Sequence, residues 1–174
     1  MDFDGYFIYV GRLDELKGIR IMFDAWKNMG GSAPKLLVCG TGPLEEWCQN
    51  FVQTNPECNI EFKGFVANTE AKKLIANAKA LILPTQCYEG FPMTIVEAYS
   101  VGAPVIGSDI GNVGSLIQEG VTGWKFAYDS VDALVAVVML AEKADLTVDE
   151  AQTGQYSMEN NYRKLVEIYE KARG

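Results

Sequence analysis

Histidine is absent from this chain of 174 residues. The commonest general base and the commonest zinc ligand are therefore both missing. The four cysteines, at positions 39, 48, 58 and 87, form no Cys-x-x-Cys pair. That spacing excludes a metal finger and a dithiol redox motif, and reduced thiols in a cytoplasmic protein are the simpler reading. Basic residues are scarce: 15 Lys and Arg stand against 23 Asp and Glu, a formal net charge of −8. Broad binding to nucleic acid or anionic membrane needs basic surface and is excluded. One phosphate site built from a few local cations is not. No apolar run approaches the ~18–20 residues of a spanning helix, and the first residues do not read as a signal peptide.

What the chain does contain is enough apolar material for a core. Hydrophobic residues make up 48%, and the length suits one domain of ordinary size. Strand-like and helix-like stretches alternate. The expected strands are Tyr6–Val10, Lys35–Cys39, Asn59–Phe62, Ala80–Leu83, Pro104–Gly107 and a weaker Gly123–Phe126. Between them lie helical spacings: Ile19, Met22, Phe23 and Trp26; Leu44, Trp47, Cys48 and Phe51 behind Pro43; then Thr69–Ala78 and Val131–Ala141. The strands read as apolar runs rather than alternations. That points to an α/β fold: a Rossmann-like, doubly wound parallel sheet of about six strands with helices on both faces. Residues 1–155 form this domain. Residues 143–155 read as a polar connection, and 156–174 as an amphipathic C-terminal helix with an aromatic stripe.

In such sheets ligands bind beyond the carboxyl ends of the strands. The polar and glycine-rich signals all follow strands: Gly11-Arg12, Gly40-Thr41-Gly42, Gly64 and Glu89-Gly90. They converge on one edge of the sheet. Glu89 and Glu97, eight apart, are the only charges between Ala80 and Ser108, a stretch otherwise fit for burial. Gly90 permits a chain reversal, and Pro92 sets φ for the first turn of a helix on which Glu97 follows Met93 by about one turn. The helix start attracts phosphate, and a carboxylate accepts paired hydrogen bonds from sugar hydroxyls. Together they suit a sugar nucleotide.

In the first loop, Arg12 and Lys17 flank a turn that feeds a helix, and both can reach one anion. The competing reading pairs them with Asp14 and Glu15 as surface cations. Gly40-Thr-Gly-Pro43 lacks the third glycine of the dinucleotide fingerprint, so a tight turn is the first reading and close approach to a ligand the second. Backbone from Gly64 through Phe65 to Val66 can line a pocket for a base, while Phe65 also reads as core and Lys63 as solvated. Asp109 reads as a helix cap.

With these residues in place, the chain resembles the C-terminal donor-binding domain of GT-B-fold retaining glycosyltransferases of family four. The matching segments are Tyr9-Val-Gly-Arg-Leu13 with Lys17-Gly18, Leu37-Val-Cys-Gly-Thr-Gly-Pro43, Phe62-Lys-Gly-Phe-Val66 and Leu83-Pro-Thr85. Glu89-Gly-Phe-Pro-Met-Thr-Ile-Val-Glu-Ala98, Gly102 to Asp109 and Gly120-Val-Thr-Gly123 complete the series. The family's Pro-Glu pair is replaced by Gly114-Ser115, at what reads as a helix start.

The resemblance implies that Arg12 and Lys17 bind the donor diphosphate and stabilise the leaving group. Glu89 lies near the donor sugar, and Glu97 binds the ribose hydroxyls. Gly11 belongs to the diphosphate loop, and backbone N–H groups of Gly90, Phe91, Met93 and Thr94 cradle phosphate. No cofactor or metal is implied, since no Asp-x-Asp motif occurs. The expected partners are a UDP-, GDP- or ADP-linked sugar and an acceptor in polysaccharide, lipopolysaccharide or glycolipid assembly. The acceptor is held by an N-terminal domain outside this chain, toward which residues 156–174 would cross. A fragment of this kind is expected to turn over poorly alone and to sit in the cytoplasm, peripheral to the inner membrane face. Two alternatives remain open: a non-catalytic nucleotide-sugar binding module, and another GT-B enzyme such as a sugar-nucleotide epimerase.

Overall fold

A computed structural model describes residues 5–88 and 92–149. Six strands form one sheet: β1 (Tyr6–Val10), β2 (Lys35–Cys39), β3 (Ile60–Gly64), β4 (Ala80–Leu83), β5 (Val105–Ser108) and β6 (Gly123–Phe126). Their order is β3-β2-β1-β4-β5-β6, and each neighbouring pair is parallel. Six α-helices intervene or follow: α1 (Ile19–Met29), α2 (Glu45–Thr54), α3 (Asn68–Ala76), α4 (Met93–Ser100), α5 (Gly111–Leu116) and α6 (Val131–Lys143).

The strand order dictates where the helices go. From β1 the chain steps outward to β2 and β3, then returns to β4 on the other side of β1 and steps away again. Right-handed crossovers made in opposite directions lay their helices on opposite faces. Accordingly Phe7, Tyr9, Val38 and Ile106 pack with Phe23 and Trp26 of α1, Cys48 of α2 and Leu134 and Val138 of α6. On the other face, Ile8, Leu37, Leu81 and Val105 pack with Ile75 of α3, Ile95 and Tyr99 of α4 and Val113 of α5. Alternate residues of one strand serve opposite layers, which is why the strands read as unbroken apolar runs.

Trp26 is fully buried and donates its indole N–H to the carbonyl of Pro34 at 2.7 Å, so its one polar group is satisfied within the core. The outer strand β3 is treated differently. Glu61 on it pairs with Lys35 at 3.2 Å and Lys63 at 3.6 Å, a charged ladder that discourages further strands from adding to the edge.

Several boundaries differ from the sequence expectation. Pro43 lies ahead of α2, which begins at Glu45, and Pro92 occupies the cap position of α4 rather than its first turn. α5 begins at Gly111, not at Gly114-Ser115, and its cap position is Ile110. Asp109 instead donates its backbone N–H to Phe126 at 2.8 Å, tying β5 to β6 beyond the sheet. The expected C-terminal helix, 156–174, lies outside the described residues, as do Glu89, Gly90 and Phe91.

Candidate functional site

β1 and β4 are neighbours in the sheet although three helices and two strands separate them in sequence. This is the switch point, where the connections on either side diverge and leave a crevice beyond the strand ends. The loop after β1 carries Arg12 and Lys17. The chain after β4 leads to α4, which carries Met93, Thr94 and Glu97.

The first loop is built by local hydrogen bonding. Tyr9, buried at the end of β1, donates its hydroxyl to the carbonyl of Arg12 at 2.6 Å. Asp14 accepts from the backbone N–H groups of Leu16 at 3.0 Å and Lys17 at 3.1 Å, capping a single 3-10 turn over Glu15–Lys17. The same carboxylate meets Nε of Arg12 at 3.2 Å, but the arginine side chain stays 65% exposed. Glu15 takes a different partner from the expected one. It binds Arg20 at 2.8 Å, and that guanidinium lies 4.7 Å from the centre of the Trp47 ring. The hydrogen bond from Arg20 holds the Glu15 carboxyl below its usual range. Asp14 therefore engages Arg12 as expected, while the second expected surface pair is made by Arg20.

The second loop packs directly on the first. Leu13 donates to Thr41 at 2.9 Å, and Leu44 donates back to Leu13 at 2.9 Å. A Cβ at Gly40 would lie 1.8 Å from the carbonyl oxygen of Gly11, so only glycine permits this approach. Its N–H continues the ladder outward to Gly64 at 2.8 Å. The loops after β1, β2 and β3 enclose a cavity of about 280 Å³ lined by Gly11, Arg12, Gly40, Thr41, Phe65 and Val66. Phe65 is 79% exposed, not part of the core. Gly40 and Thr41 are lining residues that the truncated glycine motif signalled only as a second reading. A larger cavity, about 430 Å³, opens at the opposite edge beside Lys79, Gly102 and Pro104, away from the glycine-rich loops.

α4 is fixed by its inner face: Ile95, Val96, Ala98 and Tyr99 are buried. Tyr99 donates to the carbonyl of Leu116 at 2.9 Å and sits 2.9 Å from the hydroxyl of Thr122. Glu97 is half-buried, one turn beyond the exposed Met93, and Thr94 is half-buried. The helix follows β4, the strand beside β1, and its dipole favours an anion at its N-terminus. Arg12, Lys17, Gly11, Gly64, Phe65, Val66, Met93, Thr94 and Glu97 all belong to segments at this one edge or to the helix that rises from it. Among the described residues, no group of three or more His, Cys, Asp or Glu is placed to hold a metal ion.

A six-stranded parallel sheet with helices on both faces, its connections diverging between β1 and β4, defines a Rossmann-like, doubly wound α/β fold. The chain belongs to the glycosyl transferases group 1 family, whose model matches residues 3–160, and its fold is that of a C-terminal GT-B domain. It is similar to the amylovoran biosynthesis glycosyltransferase AmsK of Erwinia amylovora, with 27% identity over 177 residues covering 93% of this chain and 44% of AmsK. Among solved structures it resembles the lipopolysaccharide outer core galactosyltransferase WaaB (TM-score 0.74, 24% identity), covering 92% of this chain and 48% of WaaB. HepE of Anabaena, solved in complex with UDP-glucose, superposes with a TM-score of 0.69 at 18% identity, covering 95% of this chain and 48% of HepE. The chain spans less than half the length of each of these relatives. No described helix is long and apolar enough to cross a membrane.

Proposed function

We propose that this chain is the donor-binding half of a retaining glycosyltransferase that moves a sugar from a nucleoside-diphosphate sugar to an acceptor glycan or glycolipid. The observation that carries the reading is the adjacency of β1 and β4, which brings the loop after β1 against the chain that leads from β4 into α4. Breaking the bond from the anomeric carbon to the diphosphate leaves negative charge on the departing nucleotide. Arg12 and Lys17 meet that charge from one side and the amides at the start of α4, near Met93 and Thr94, from the other. One preorganised donor of this kind lowers a barrier by ~3–4 kcal/mol. The leaving group is stabilised in this scheme without a metal ion.

Glu97 binds the ribose hydroxyls. Glu89, with Gly90 and Phe91 beside it, is assigned to the donor sugar and the phosphate cradle by position in the chain. The cavity between Gly11, Thr41 and Phe65 takes the base. The acceptor is held by a second unit facing this rim, where Leu16, Phe65, Tyr88, Met93 and Tyr128 expose large apolar side chains. Such side chains at a rim suit a surface that another unit covers.

Calorimetric titration of the chain with UDP, GDP and ADP in the presence of EDTA tests this. One nucleotide is expected to bind without metal. Binding of none of the three, or binding only when a divalent cation is restored, overturns the reading.

A further inference from the structure

Gln86 makes an unusual set of contacts for a half-buried loop residue. Its backbone N–H donates to the carbonyl of Leu16 at 2.8 Å, joining the chain after β4 to the 3-10 turn that carries Lys17. Its side-chain nitrogen donates to the carbonyl of Pro84 at 3.1 Å and to the carbonyl of Tyr128. Tyr128 follows β6, which is not a neighbour of β4; β5 lies between them. One residue therefore braces the loops after β1, β4 and β6, passing over the end of an intervening strand. Both side-chain acceptors are carbonyl oxygens, which can only accept, so the brace needs an N–H₂ group at this position. Fully buried Thr85 adds a hydroxyl contact to Leu16 at 3.3 Å, which strengthens the same seam.

We propose that the Gln86 side chain is a positioning group that ties the chain leading into α4 to the loop after β6, while its backbone N–H keeps that chain against the turn bearing Lys17; this rests on the reading of that rim as a nucleoside-diphosphate site. The hydrophobic core does not require it, because its side chain lies in the loop layer outside both core clusters. Its effect falls on where the chain leading into α4, one half of the anion site, is held relative to the loop after β6. A glutamate in its place has the same shape but, when ionised, directs negative oxygens at two carbonyls. When protonated, the same side chain regains one donor and can remake part of the brace.

The test is a titration of wild type, Gln86→Glu and Gln86→Met with whichever of UDP, GDP and ADP the wild type binds, from about pH 8 down to about pH 5, with Tm measured alongside in the absence of nucleotide. For Gln86→Glu the dissociation constant is expected to rise about five-fold or more at the alkaline end, the worth of one hydrogen bond. That deficit is expected to narrow relative to wild type as the carboxylate protonates. Gln86→Met is expected to show a deficit that does not change with pH. An unchanged dissociation constant in both variants, with or without a fall in Tm, overturns the proposal, as does a Gln86→Glu deficit equal at every pH. Failure of the wild type to bind any nucleotide overturns the parent reading and this one with it.

Discussion

Gly18 and Pro84 meet backbone to backbone: a Cβ on Gly18 would stand 1.7 Å from the carbonyl oxygen of Pro84. Gly18 also has φ of +76°, a conformation that side-chain-bearing residues rarely adopt. The contact brings the loop after β1 against the chain after β4, and the bond from Gln86 to Leu16 completes the seam.

Gly18→Ala sets a methyl group into that carbonyl, so either the loop after β1 or the chain after β4 must move. The expected loss is about 2–4 kcal/mol of stability, measured by urea unfolding. Nucleotide affinity is expected to fall as well, because both parts of the site are displaced. A variant as stable as wild type would show that the two segments are not locked together.

Tyr99 anchors α4 from below through its hydroxyl, shared between Leu116 and Thr122. Tyr99→Phe keeps the ring and leaves the Leu116 carbonyl and the buried Thr122 short of a partner. The expected cost is about 1–3 kcal/mol, read from the denaturant midpoint with the slope unchanged.

Much of this fold could be read from the chain. Tyr6–Val10, Lys35–Cys39, Ala80–Leu83 and Gly123–Phe126 are strands over the expected residues because each is a short apolar run closed by a turn signal. The ends of helices were harder. Proline at 43 and 92 suggested a first helical turn, yet both precede the helix, since a fixed φ also suits the approach to it. Asp109 had the composition of a cap, but the cap position of α5 falls one residue later, at Ile110. For the site, the convergence of loops followed from strand order alone. The identity of partners did not: Glu15 meets Arg20, a helix residue five positions on that rests over Trp47, and that contact depends on how α1 sits beside α2. Gly40 was legible as a turn but not as a point of backbone contact with Gly11, which depends on how two loops stack.

The buried thiols give a pH signature. Burial pushes Cys39 up to about 11 and Cys48 up to about 12, while an unfolded thiol ionises at about 8.5. Between those values the unfolded state loses protons first. The stability these thiols contribute is therefore intact below about pH 8.5 and lost as pH rises toward the folded values, by no more than about 1.4 kcal/mol per pH unit for each. Cys48→Ala is expected to show a shallower alkaline decline than wild type. Equal slopes would mean that Cys48 ionises as readily folded as unfolded.

The central claim is that the rim between β1 and β4 binds a nucleoside diphosphate through Arg12. Its most direct test is calorimetric titration of Arg12→Ala beside Arg20→Ala, which removes an equal charge from the same end of the molecule. Arg12→Ala is expected to weaken binding by about 1.5–3 kcal/mol with little change in Tm, since the side chain is largely exposed and, among the described residues, pairs with Asp14. Arg20→Ala, already engaged by Glu15 and Trp47, is expected to bind as wild type does. Equal losses in the two variants, or none in Arg12→Ala, would contradict the account.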